Sequence, residues 1–125
     1  MAAYADFQSR AETAKDALLE FLLQAKRSGQ RVLGYGAAAK GNTLLNYAGI
    51  KADLLPAVAD RAFSKQGKML PGSHIPVISA EELDAQNPDV LLVLPWNLIN
   101  ELREQLPAYE LVTAIPKLQR WIKED

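Results

Sequence analysis

One glycine-rich stretch concentrates the residues whose types and spacing could do chemistry: Gly34-Tyr35-Gly36-Ala37-Ala38-Ala39-Lys40-Gly41-Asn42. Gly34, Gly36 and Ala39 fit the G-x-G-x-x-G/A spacing. In that pattern small residues let backbone amides approach an anion, and the N-terminus of the following helix favours its charge. Lys40 adds a positive charge in the first turn of that helix. Asp60 lies about 20 residues further on, where dinucleotide folds place a ribose-binding carboxylate. Capping the next turn is an equal use for it. A tight strand-to-helix turn also wants small residues for packing alone, which competes with a phosphate- or nucleotide-bearing ligand.

The stretch 61–76 carries Arg61, Lys65, Lys68 and His74, with Gly67 and Gly72. It leaves the second predicted strand at the edge where sheets of this kind bind ligands. Cations there can meet phosphates or form a solvated charged loop. His74 is the one histidine and has no partners at metal-ligand spacing, so its expected role is loop packing or hydrogen bonding and no metal site is expected. Pro95-Trp96-Asn97 follows the fourth predicted strand. Trp96 can stack on a base or wall a cleft, and Asn97 suits a helix N-cap or a ligand contact. Glu81, Glu82, Glu101 and Glu104 fall on helix surfaces, as solvating charges. No nucleophile stands beside a general base, so no catalytic residue is expected in this chain.

The elements that must position these residues follow from hydrophobic periodicity. Tyr4, Phe7, Ala11, Ala14, Leu18, Leu22 and Ala25 make a long amphipathic helix over 4–28, stopped at Gly29. Strands are expected at 32–35, from about 57 to 60, and at 76–78, 89–94 and 110–115. Helices are expected at 40–48, at 80–86 behind the capping box of Ser79 and Glu82, and, led into by Pro95 and Trp96, over a stretch with Leu98, Ile99, Leu102 and Leu106 on one face that Pro107 ends. A short terminal helix over 116–125 would carry Leu118, Trp121 and Ile122. Strands that are near-continuous apolar runs, alternating with helices, predict a parallel sheet covered on both faces. Right-handed crossovers make it a doubly wound, three-layer α/β/α arrangement of five parallel strands in the order 3-2-1-4-5. Its switch point opens a crevice between 34–42 and 95–97.

The 125 residues suit one domain. The net charge of −1, from 14 basic and 15 acidic residues, points to neither nucleic acid nor an anionic membrane. There is no cysteine, which excludes disulfides and a thiol nucleophile and fits a reducing cytoplasm. No apolar run approaches the roughly 20 residues of a membrane span, and the N-terminus does not read as a signal peptide.

Three separated motifs then carry a resemblance. Gly34 through Tyr47, reading GYGAAAKGNTLLNY, is similar to the signature of the C-terminal domain of sugar-nucleotide C-methyltransferases. So are Asp60-Arg61 with 65–76, reading KQGKMLPGSHIP, and Leu94-Pro95-Trp96-Asn97. The resemblance covers essentially the whole chain. It implies a Rossmann-like domain of an enzyme that transfers a methyl group from S-adenosylmethionine to a carbon of a deoxysugar carried on a nucleoside diphosphate. Such enzymes join a cysteine-rich zinc region, a central methyltransferase domain and this C-terminal domain. The resemblance implies that the central domain, attached or separate, holds S-adenosylmethionine and the catalytic groups. This domain then helps to hold the nucleotide sugar and binds no cofactor itself. A stand-alone nucleotide- or NAD-binding module is the alternative. The substrate-side residues expected under these readings are Gly34, Tyr35, Gly36, Ala37, Lys40, Gly41, Asn42, Asp60, Lys65, His74, Trp96 and Asn97.

Overall fold

The computed structural model describes residues 2–122, and side chains from Arg10 onward. The expected inward placement of Tyr4 and Phe7, and the last three residues of the expected terminal helix, lie outside what is described. Helix α1 spans Ala2–Arg27. Its residues Ala14, Leu18, Leu22 and Ala25 are buried, one stripe at steps of four, four and three, which is the amphipathic repeat of a surface helix. Lys26 and Arg27 complement the negative end of the helix dipole.

The strands are β1 (Val32–Tyr35), β2 (Val58–Ala59), β3 (Val77–Ile78), β4 (Val90–Val93), β5 (Glu110–Thr113) and β6 (Gln119–Trp121). They form one sheet in the order β3-β2-β1-β4-β5-β6. The first five run parallel, with Tyr35 beside Ala59 on one side and Val93 on the other. Helices α2 (Ala39–Ala48), α3 (Ala80–Gln86) and α4 (Ile99–Gln105) make the crossovers. Side chains alternate across each strand. Val32, Val58, Val90, Leu92 and Val112 pack with Leu18 and Leu22 of α1 and Leu45 of α2. Leu33, Tyr35, Leu91, Val93 and Leu111 pack with Leu83 of α3 and Leu102 of α4. Both faces are covered, which is why the strands lack a polar alternation. Burying one Leu such as Leu22 or Leu91 contributes about 2 kcal/mol.

The caps explain where the helices stop and start. Gly49 takes φ 71° after α2, and the Ile50 amide reaches back to the Leu45 carbonyl at 2.9 Å, a left-handed closure that glycine adopts without strain. Ser79 accepts the Glu82 amide at 3.1 Å and opens α3 as the capping box predicts.

The five-strand expectation is corrected, because β6 adds a sixth strand and that strand is antiparallel to β5. It lies where a terminal helix was expected over 116–125. Tertiary partners decide the matter. Arg120 Nε donates to Glu110 at 2.7 Å, and its guanidinium lies 5.7 Å from the centre of the Phe21 ring. The Trp121 indole donates to Thr113 at 3.1 Å, and the ring packs on the opposite face of the sheet.

The stretch 61–76 is also organised. A single 3-10 turn spans Phe63–Lys65, and a hairpin then pairs Leu70 with Ile75 and Lys68 with Val77. That hairpin covers the outer edge of β3. Its buried Leu70 and Ile75 join the core beside α1 and α2.

Candidate functional site

The C-terminal ends of β2, β1 and β4 meet at one edge, and most of the predicted site residues gather there. β1 leads into Gly36, which adopts φ 84°. A side chain at Gly36 would meet Pro95, at 2.6 Å from its Cδ. Gly34, within β1, faces Val58 in the same way, at 2.7 Å. Gly41 lies in the first turn of α2 and abuts Leu94, so α2 rests directly on the end of β4. The Leu94 amide donates to the Tyr35 carbonyl at 3.0 Å, and Tyr35 itself is buried in the layer shared with α3 and α4. At Gly34, Gly36 and Gly41 a neighbouring side chain therefore occupies the space a Cβ would take, whereas Ala39, the third position of the spacing, is exposed at the start of α2.

Between Gly36 and α2 the backbone amides are all engaged. Gly36 donates to Ala59 at 2.7 Å and Ala38 to Gly36 at 2.8 Å. Ala37 donates to the Asp60 carboxylate at 2.7 Å. The other carboxylate oxygen of Asp60 accepts the Ala62 amide at 2.7 Å, and Gln66 ties down the Asp60 carbonyl at 2.9 Å. Asp60 thus caps its own following turn, one of the two uses open to it from sequence. Lys65 reaches the same point. Its Nζ donates to the Ala37 carbonyl at 3.3 Å and lies 3.9 Å from the Asp60 carboxylate.

Helix α2 begins without a capping side chain, because its N-cap is Ala38. The first backbone bond of the helix is Asn42 to Ala38, at 2.9 Å, so the amides of Ala39, Lys40 and Gly41 precede it. No acidic residue stands in this first turn, and Lys40 is exposed. The side-chain oxygen of Asn42 is buried without a hydrogen-bond partner, alone in this among the described residues. Positive charge and unpaired amides at a helix start favour an anion.

Trp96 and Asn97 sit across the edge in a 3-10 turn, Trp96–Leu98. Trp96 is half-buried and Asn97 exposed. Asn97 is not the N-cap it was expected to be: α4 starts at Ile99, with Leu98 in the capping position and no side-chain cap. The intervening turn moves the cap one residue along, from Asn97 to Leu98. His74 is not brought to this edge. It adopts φ 59° on the hairpin, whose tip docks farther along α2, where Asn46 donates to the Pro71 carbonyl at 3.0 Å. Lys68 belongs to the same hairpin, with its carbonyl accepting the Val77 amide. Sequence reasoning missed Gln66, which has no signal apart from its partner Asp60.

Two cavities lie away from this edge. One of about 470 Å³ is lined by Arg103, Tyr109 and Trp121, among others, next to β6. The other, about 240 Å³, opens near Gly29–Val32 at the opposite end of the sheet. In the first, Arg103 stacks over Trp121 at 4.9 Å. Burial, followed by a hydrogen bond to Asp84, pushes the Tyr109 hydroxyl up to about 12. Among the described residues no group of three or more His, Cys, Asp or Glu could hold a metal, and no helix is long and apolar enough to cross a membrane.

With this geometry in hand, known proteins give the context. A family model described as the C-methyltransferase C-terminal domain matches residues 1–116. The chain belongs to the C-methyltransferase C-terminal domain family. A relative of this family member, C-methyltransferase NovU of Streptomyces niveus, is 36% identical over 99 residues. That match takes in 79% of this chain and 24% of NovU, so the chain spans about a quarter of that relative's length.

Proposed function

We propose that this chain is the substrate-side domain of a cytoplasmic C-methyltransferase, one that uses S-adenosylmethionine to methylate a deoxysugar carried on a nucleoside diphosphate. On this reading the chain folds as one domain, helps to hold the nucleotide sugar and transfers no methyl group alone. Catalysis belongs to a central methyltransferase domain, attached or separate. The observation that carries the reading is the uncapped start of α2 beside Lys65 at the edge of the sheet, in a member of a C-methyltransferase family. The amides of Ala39, Lys40 and Gly41 receive a diphosphate there, with Lys40 and Lys65 adding charge-assisted contacts. Asn42 has an unspent acceptor for a donor group of the ligand. Trp96 and Asn97 wall the far side. Gly34, Gly36 and Ala37 set the position of the helix start. His74, on the hairpin, is at most a peripheral contact.

S-adenosylmethionine would supply the methyl group, and the residues at this turn do not fit it. The spaces beside Gly34, Gly36 and Gly41 are filled by Val58, Pro95 and Leu94, which leaves no cradle for an adenosine there.

Chemical-shift mapping with uridine and thymidine diphosphates tests the site. Shifts should cluster on 39–42 and 95–97, and Lys40→Ala should weaken binding several-fold. Shifts confined to 29–31 and 87–89, or no binding of either diphosphate, would reject it. Incubation with S-adenosylmethionine and a nucleotide-linked keto-sugar should give no methyl transfer. Turnover above background, abolished by a substitution in this chain, would overturn the assignment of catalysis elsewhere.

A further inference from the structure

The geometry points to Asp60 as a specificity-determining residue: its carboxylate occupies the backbone amide that this glycine-rich turn would otherwise present to a phosphate, and so closes the turn to the pyrophosphate of a dinucleotide. Asp60 plays this part whether or not a sugar nucleotide binds at the neighbouring helix start.

A phosphate held by a strand-turn-helix needs amides that point at it and are free to donate. None of the three turn amides is free. Gly36 is bound to Ala59, Ala38 to Gly36, and Ala37 to Asp60. Two of those bonds are backbone to backbone, one across to the end of β2 and one within the turn. The third depends on one side chain. Asp60 is also held on its other side, by Ala62 and through its carbonyl by Gln66, and its side chain is only 13% exposed. Both oxygens already accept a 2.7 Å amide bond, so the carboxylate is not presented outward to a ribose diol. Its negative charge also repels any anion that approaches Ala37. Next to it, Pro95 packs into the space that Gly36 leaves for want of a side chain. The two features that mark a dinucleotide site in the sequence, the second glycine and the acidic residue after β2, are thus both spent on internal contacts. What stays open to an anion is the start of α2, one turn further along the chain, with Lys65 drawn towards it by Ala37 and Asp60.

The test is a titration of the full chain, at low salt, with NAD and with inorganic pyrophosphate, followed on the backbone amides by NMR. In the wild type the Ala37 amide should exchange slowly and stay unmoved by either probe. In Asp60→Ala it should exchange rapidly and shift with pyrophosphate, whose affinity should rise about tenfold once the charge is gone and the amide is free. A merely structural aspartate would not produce a gain of affinity. Asp60→Asn keeps the size and one acceptor oxygen while removing the charge. It should gain a smaller factor, and it decides the matter if the alanine variant fails to fold. The proposal is overturned if NAD or pyrophosphate shifts Ala37 in the wild type, or if neither folded variant binds pyrophosphate more tightly. Uridine diphosphate in the same series reports separately on the sugar-nucleotide site. Its failure to bind the wild type would reject that site while leaving the Ala37 result to stand.

Discussion

The Cβ that Gly36 lacks would stand 2.6 Å from Cδ of Pro95. The end of β1 and the exit from β4 therefore touch through a missing side chain, at a residue whose φ of 84° already disfavours anything but glycine. Gly36→Ala should lower stability by about 2 kcal/mol or more, from the left-handed backbone and the overlap together. Denaturant unfolding measures this. A variant as stable as the wild type would mean that Pro95 moves aside freely.

Gly41 makes the opposite case for propensity. In an exposed helix, replacing Gly by Ala gains about 1 kcal/mol. Here the new methyl group meets Leu94, including its Cα and carbonyl oxygen at 3.1 Å, so Gly41→Ala should instead cost about 1–3 kcal/mol. Combining it with Leu94→Ala should bring no relief, because the atoms in contact survive in alanine. Recovery of stability in the double variant would contradict the close packing of α2 on β4.

The parallel core was legible because each of its strands is apolar on both faces, and because Ser79 and Gly49 mark helix ends by local chemistry that needs no tertiary partner. The final strand was not. Between Pro116 and Ile122 there are too few residues to separate a period of two from one of 3.6, and a leading proline suits a helix start. Glu110 and Thr113, ten and eight residues before their partners, and Phe21 on α1 decide the outcome, and none of them lies within the segment itself. The site divides in the same way. The spacing of Gly34, Gly36 and Asp60 placed them at one edge, but the registers of β1 with β2 and β4 determine that Pro95 and the Ala37 amide are what they meet. The expected cap at Asn97 failed for a local reason, since a 3-10 turn absorbs Trp96–Leu98 before α4 begins.

Trp121 anchors β6 through Thr113, Arg103 and the core next to α4. Trp121→Ala should cost about 2–3 kcal/mol, at the low end for an aromatic truncation because the ring is half-exposed. Arg120→Ala removes an exposed ion pair with Glu110 and should cost less than about 1 kcal/mol. Equal losses would mean that β6 is held by its charge and not by its indole.

Tyr109 links the α3–α4 layer to pH. Its hydroxyl is raised from 10.0 to about 12, by burial and then by its hydrogen bond to Asp84. A raised pKa means that folding favours the protonated phenol. The stability it contributes is therefore complete below pH 10 and lost as pH rises through about 12. The stability difference between wild type and Tyr109→Phe should be constant below this window and shrink across it. A difference that does not change over that range would show that the hydroxyl titrates at its ordinary value.

Leu91 and Leu92 are consecutive in the chain and belong to different layers, one packed towards α4 and the other towards α1. The sheet between them acts as a partition. Damage to one layer reaches the other only through the backbone, so truncations at these two neighbours should add almost independently, whereas truncations of touching residues within one layer should couple. For this domain, closeness in sequence is a poor guide to energetic dependence. The layer to which a side chain belongs is the better one.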